Sequence, residues 1–104
     1  KPIYEAVEEV PEFPGGFPAM QDYLRNEIKY PTLARVNKIQ GKVFISFIID
    51  SEGNVTDPGI VGSIGFGCDE EALRVVSGFP KWKPGTNDGK AVNVKYVIPI
   101  NFAL

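Results

Sequence analysis

Along AVNVKYVIPINF, residues 91–102, an apolar side chain recurs at every second position: Val92, Val94, Tyr96, Ile98, Ile100 and Phe102. A period of two marks a strand with one buried face. A strand this long, close to the end of a 104-residue chain, has to find its ladder partner earlier in the sequence. The segment that matches it in period and length is GKVFISFIID, where Val43, Ile45, Phe47 and Ile49 share a face. Ser51 to Asn54 then supplies turn chemistry, so a hairpin is expected with a returning strand over about residues 54–61. Pro58 and Gly59 weaken that returning strand, because proline has no ladder donor, and place it at an edge or a bulge.

The rest of the chain alternates differently. Met20, Tyr23, Leu24 and Ile28 recur at three- and four-residue spacing after Pro18, which predicts an amphipathic helix with proline in its first turn. Pro31 ends it and opens a short helix through Val36. In CDEEALRVVSGF, the acidic residues Asp69, Glu70 and Glu71 suit a helix N-terminus. Ala72, Val75, Val76 and Phe79 form one stripe, and Gly78 with Pro80 ends the helix. Lys1 to Gly16 has neither period and reads as an extended arm. The expected fold is α+β: a three-stranded antiparallel sheet, order 2-1-3, with two or three helices on one face. Residues 1–16 form the arm, and residues 17–104 form the domain. A right-handed crossover through the last helix places the final strand beside the first. It leaves that strand at an open edge. Lys95 and Pro99 are residues that natural edges use to resist pairing, so the edge is either protected or kept for a partner.

Composition limits the function classes. The chain is 43% hydrophobic and 23% charged, enough for one modest core. Its net charge of −2 gives no field that gathers nucleic acid. Charge is uneven, however: Glu5, Glu8, Glu9 and Glu12 crowd the arm, while Lys81, Lys83, Lys90 and Lys95 cluster near the last turn. A single cysteine allows no internal disulfide. No apolar run approaches the ~18 residues of a membrane span. The chain does not begin with Met, and it is expected to be a mature fragment or excised domain whose anchor lies outside it.

Catalysis finds little support. The chain has no histidine, which removes the commonest general base and the usual zinc ligand. Cys68 at a helix start could have a lowered pKa, but a small buried residue is the simpler reading. Asp69, Glu70 and Glu71 are consecutive in a helix, so they point apart and serve better at its N-terminus than as a catalytic pair. The glycines at 62, 65 and 67 fit no phosphate-binding spacing and read as a flexible connection. Trp82 between Lys81 and Lys83 could stack a base, though a sheet-corner anchor explains it more economically. No catalytic residue, metal or cofactor is expected.

Taken as a set, Tyr30-Pro31 with Ala34, Gly41 with Val43, Gly53-Asn54-Val55, the helix from Asp69, Trp82-Lys83-Pro84-Gly85 and the final Pro99-Ile100-Asn101-Phe102 resemble the C-terminal domain of TonB and its relatives. The motifs occur in order over about three quarters of the chain. The resemblance implies a periplasmic domain whose partner is the short N-terminal TonB box of an outer-membrane transporter, added as a strand to the last strand's edge. The expected contacts are Val92, Asn93, Val94, Lys95, Tyr96, Val97 and Ile98, with Lys81, Lys83 and Lys90 as an electrostatic rim favouring acidic flanks. It also implies an inner-membrane anchor and a proton-driven motor complex, both reached through sequence outside this chain. Relatives occur as monomers and as strand-exchanged dimers. TonB-like domains are also carried by membrane-anchored signalling and metallopeptidase proteins, where the job is sensing or protein interaction. The Gln-Pro-rich stretch that some members carry before the first helix is absent, and the PEFPGG arm stands in its place. Phe44 and Ile48 lie on the strand face opposite Val43, Ile45 and Phe47 and need cover. The arm's Ile3, Val7 and Phe13 are expected to supply it, or else a second copy.

Overall fold

The computed structural model describes residues 2–104, and its centre is the pairing of the two long alternating segments. In chain order the elements are β1 (Ile3–Tyr4), α1 (Gly16–Glu27), α2 (Thr32–Val36), β2 (Gly41–Ile49), β3 (Val55–Gly62), α3 (Cys68–Ser77), β4 (Gly85–Asn87) and β5 (Lys90–Phe102). β2 and β5 run antiparallel in unbroken register from Gly41↔Phe102 to Ile49↔Val94. Because the register is unbroken, every apolar position of one period lands on the same face. Val43, Ile45, Phe47 and Ile49 are buried with Val94, Ile98, Ile100 and Phe102. The helices cover that face through Met20 and Leu24 of α1, Ala34 of α2, and Ala72, Val75 and Val76 of α3.

The sheet order is β1-β5-β2-β3, with β4 also paired to β5. The expected three strands are adjacent in the expected order, and two short strands, both paired to β5, extend the sheet. Asn87, Asp88, Gly89 and Lys90 close a two-residue hairpin in which Asp88 (φ 50) and Gly89 (φ 73) are both left-handed, the backbone that a tight β-hairpin requires. The arm supplies the other addition: Ile3 and Tyr4 pair in parallel with Asn93 and Val94. Further along, the arm bridges β4 and the segment before it, at Glu9↔Thr86 and Glu12↔Lys83. The extended arm is therefore folded into the sheet.

Two expectations need correction. The loop before α3 is not a slack connection: Asp69 accepts hydrogen bonds from the Ser63 hydroxyl, the Ile64 amide (3.0 Å) and the Gly65 amide. The carboxylate fixes the loop rather than capping α3, whose N-cap Gly67 has no side-chain cap. The arm also leaves Phe44 uncovered. Phe13 goes to the other face, into a cluster of rings with Tyr23, Phe79 and Trp82 at centroid distances of 5.5–5.7 Å, while Phe44 stays 40% exposed. Its ring lies against Gly62, where a Cβ would come within 2.8 Å of it. The missing side chain on β3 is the shelter that Phe44 has.

Trp82 does anchor the corner. It is buried and packs edge-on against Phe13, Phe47 and Tyr96. Its amide donates to the Gly53 carbonyl at 2.8 Å, tying the end of the β2–β3 turn to the segment that feeds β4. Asp50 closes the same turn by accepting from the amides of Glu52 and Asn54, each at 2.9 Å.

Candidate functional site

A strand on the edge of a sheet offers unpaired amides and carbonyls, so the site begins with which part of β5 has an outer partner. Val92 pairs with Gly85 of β4. Asn93 and Val94 carry β1 on the edge away from β2. Lys95, Tyr96, Val97 and Ile98 pair with Ile48, Phe47, Ser46 and Ile45 of β2. Among the described residues no strand lies on their other side, nor on that of Pro99 to Phe102. The outer edge is thus occupied at Asn93 and Val94 and free from Lys95 onward. Asn93 has a further structural task, since its Oδ1 accepts the Ser51 amide at 2.9 Å.

The free stretch is accessible without being unstable. Lys95, Val97, Pro99 and Asn101 point to the face without helices and are exposed, while Ile98, Ile100 and Phe102 point into the core. The buried set holds β5 in place, and the exposed set leaves room beside it. Pro99 is accommodated opposite Phe44 of β2, which fits a residue whose missing amide would have faced outward. By strand alternation the amides of Lys95, Val97 and Asn101 face outward too.

Concavities follow β5 along its length. Near its start, Ala91, Val92 and Asn93 share a hollow with Pro2 and Tyr4 of the arm. Midway, Tyr96 lies in a small apolar hollow with Val10 and Phe17, two large side chains that are 67% and 66% exposed. At its end, Pro99, Asn101 and Phe102 border a groove of about 500 Å³ against α1, where Arg25 and Ile28 form the wall. The strand edge therefore runs past the arm and α1, with an apolar step halfway.

The expected lysine rim is at the other end of the molecule from that groove. Lys83 exchanges both backbone hydrogen bonds with Glu12, at 2.8 and 3.0 Å, and Lys90 pairs with Asn87 in the β4–β5 hairpin. Lys81 lies close enough to Asp50 to act on its carboxyl. The acidic arm is folded onto the lysine-bearing segment through backbone bonds, with the Glu8 and Glu9 carboxylates accepting from the Asp88 amide and the Thr86 hydroxyl and no ion pair to these lysines among the described residues. The cations beside the free part of the edge are instead Arg25, Arg35 and Lys42 of the groove and Lys95 of β5 itself. Sequence reasoning had no route to the first three, which come from three separate elements.

The remaining chemical candidates are used for structure. Cys68 is buried, and burial followed by the charges of Asp69 and Glu70 pushes its thiol pKa up, away from the thiolate that reactivity needs. Burial alone would raise the Asp69 carboxyl, but its bonds to Ser63, Ile64 and Gly65 outweigh this and hold it below the ordinary value. Glu71 turns the other way. It pairs with Arg74 at 2.8 Å and accepts the Lys29 amide at 2.7 Å, and these bonds lower its pKa, with the Arg74 contact the largest cause. Among the described residues no group of three or more His, Cys, Asp or Glu side chains could hold a metal ion.

Comparison with known proteins follows the same line. Residues 26–104 match the family model described as Gram-negative bacterial TonB protein C-terminal. The chain is similar to the NMR solution structure of Helicobacter pylori TonB-CTD (residues 194–285), with a TM-score of 0.58 and 27% identity, over 82% of this chain and 89% of that one. It is similar also to the structure of a longer piece, residues 179–285, with a TM-score of 0.61 and 29% identity, over 82% of this chain and 77% of that one. No curated protein matches.

Proposed function

Since the chain belongs to the Gram-negative bacterial TonB protein C-terminal family, we propose that it is the interaction domain of a TonB-like energy transducer. It takes the TonB box of an outer-membrane transporter as an added strand on the outer edge of β5. The observation that carries this reading is the edge itself: β5 is regular and paired to β2 on one side, yet among the described residues it has no strand partner from Lys95 onward on the other. The short β1 supports it further, because that strand already lies on the same edge, on the two residues directly before the free stretch. In this reading the domain works in the periplasm, on a protein tethered to the inner membrane and coupled there to a proton-driven motor.

Strand addition uses main-chain bonds for affinity and side-chain hollows for selectivity. About four or five new hydrogen bonds at ~1 kcal/mol each, with modest apolar burial against Val10 and Phe17, work against an association cost of roughly 4–15 kcal/mol. The result is a weak, reversible complex, which suits a coupling that must release. A titration of isotope-labelled domain with box peptides from the source organism's transporters tests it by amide shifts. Saturable shifts along the β5 edge, at Lys95 to Asn101 and, where the partner displaces β1, at Asn93 and Val94, support strand addition. Shifts confined to β3 or the helices, or none with any peptide, reject it.

A further inference from the structure

We infer that the groove at the C-terminal end of β5 receives a carboxylate side chain of the added strand, so that the domain selects partners with Asp or Glu where the strand passes Asn101. This rests on the strand-addition reading and names the chemistry it favours. The groove brings together Arg25 from α1, Arg35 from α2 and Lys42 from β2, and no Asp or Glu lines it. In a chain of net charge −2, such a gathering does not follow from composition.

The three cations are held differently. Arg25 is partly compensated by Asp22 at 2.6 Å. Arg35 lies 5.2 Å over the ring of Tyr30, which orients the guanidinium while leaving its hydrogen-bond donors available. Lys42 stands across from Asn101 in the β2–β5 ladder and has no ion-pair partner among the described residues. Leu24, Ile28, Tyr30 and Phe102 are also part of the lining, an apolar wall for the stem of a Glu side chain or for its neighbour in the peptide. The groove borders both Pro99 and Asn101, so a strand following the free edge reaches it without a turn.

The groove is open to solvent, so the attraction is screened and its size is modest. Arg35 and Lys42 together shift the dissociation constant about 10-fold at low salt. The test uses two synthetic peptides with one transporter-box core, flanked at both ends by Glu in the first and by Gln in the second. The Glu peptide is expected to bind about 10-fold more tightly at low salt, with added shifts at Asn101 and Phe102. That advantage should disappear near 1 M salt, where the Debye length is about 3 Å. It should also disappear in an Arg35→Gln/Lys42→Gln variant, both positions being exposed; Lys42→Gln alone is expected to remove about 3-fold. Equal binding of the two peptides to the unmodified domain, with β5 shifts retained, overturns the groove's role and leaves strand addition intact. Absence of β5 shifts with both peptides overturns both readings.

Discussion

Removing residues 1–6 should tighten binding of a partner strand that needs the whole β5 edge. The expected partner contacts ran from Val92 to Ile98, and β1 sits on Asn93 and Val94 within that span. A strand that pairs there must first displace Ile3 and Tyr4. Two ladder hydrogen bonds contribute about 1 kcal/mol each. Ile3 remains 52% exposed, so burial of it and of half-buried Tyr4 adds roughly 1–2 kcal/mol. Fixing the two paired residues costs about 1–1.5 kcal/mol apiece. The difference is about 1 kcal/mol in favour of the docked arm, or a docked-to-open ratio of about 5. A competitor then binds about 6-fold more weakly than it would to a bare edge. Calorimetric titration of a box peptide into the full chain and the shortened one measures that ratio directly. The bridges at Glu9 and Glu12 and the burial of Phe13 remain in the shortened chain, so its thermal stability should fall by no more than about 1 kcal/mol. An unchanged dissociation constant, with Asn93 and Val94 unperturbed in both, would refute the competition. The partner would then begin at Lys95 and treat β1 as part of its platform.

Gly53→Ala should be among the most damaging single changes: Gly53 has φ +88, and an added Cβ would lie 2.1 Å from the Trp82 carbonyl oxygen. The left-handed backbone alone costs about 1–2 kcal/mol, and moving Trp82 adds more, so urea denaturation should show a loss above about 2 kcal/mol. Val97→Pro should remove an outward amide while sparing the β2 ladder, weakening box-peptide binding about 5-fold with a stability loss under about 2 kcal/mol; equal losses in Ile98→Pro and Val97→Pro stability would disprove the assumed alternation. Asp69 has a lowered carboxyl pKa in the fold, so its contribution is complete above its ordinary value near 3.8 and is lost as pH falls through the lower folded value. Acid unfolding followed by circular dichroism should therefore be shallower below about pH 4 for Asp69→Asn than for the unmodified domain; parallel curves would mean that the loop contacts do not depend on the charge.

The elements that were legible in the sequence are those whose period repeats several times. β2 and β5 each carry four or more buried alternate positions, and α1 and α3 each carry a stripe, so burial alone picks out their faces. Pro58 and Gly59 marked β3 as an edge or a bulge, and both hold: it ends the sheet, and its register shifts between Phe44 and Ile45 and again between Ser46 and Ile48 of its partner. The two short strands lacked that repetition. β4 has three residues and β1 two, too few for a period to register. A signal for β4 was nonetheless present in Asn87-Asp88-Gly89, a strong local turn sequence directly before an alternating run. For β1 no local signal exists, because a parallel pair of two residues depends on where Phe13 anchors the arm. The site divides in the same way. The edge of β5 could be read from topology, whereas the groove could not, since Arg25, Arg35 and Lys42 are brought together only by the packing of α1 and α2 against the sheet end.

The two long edges of this sheet are treated unequally, and that asymmetry bears on where a partner can add. The β3 edge is poor as a template: its ladder slips twice, Asp57 has φ 50, and Pro58 withholds a donor. Bulged, interrupted edges resist another chain because successive amides no longer lie in line. The β5 edge is different along its length. Its first part is filled by the chain's own β1, while the part from Lys95 to Phe102 keeps an unbroken register against β2. Lys95 and Pro99 remove little from it, since one is a long side chain that can turn aside and the other withholds a single amide. A strand arriving from solution therefore meets one regular row of unpaired groups. Beside that row stand the exposed rings and aliphatic groups of Phe17 and Val10 and, at its end, three cations. The same asymmetry governs self-association, since a second copy that adds edge to edge would have to use the stretch on which the proposed partner depends. Dimerisation through β5 and binding of the box peptide should accordingly exclude one another.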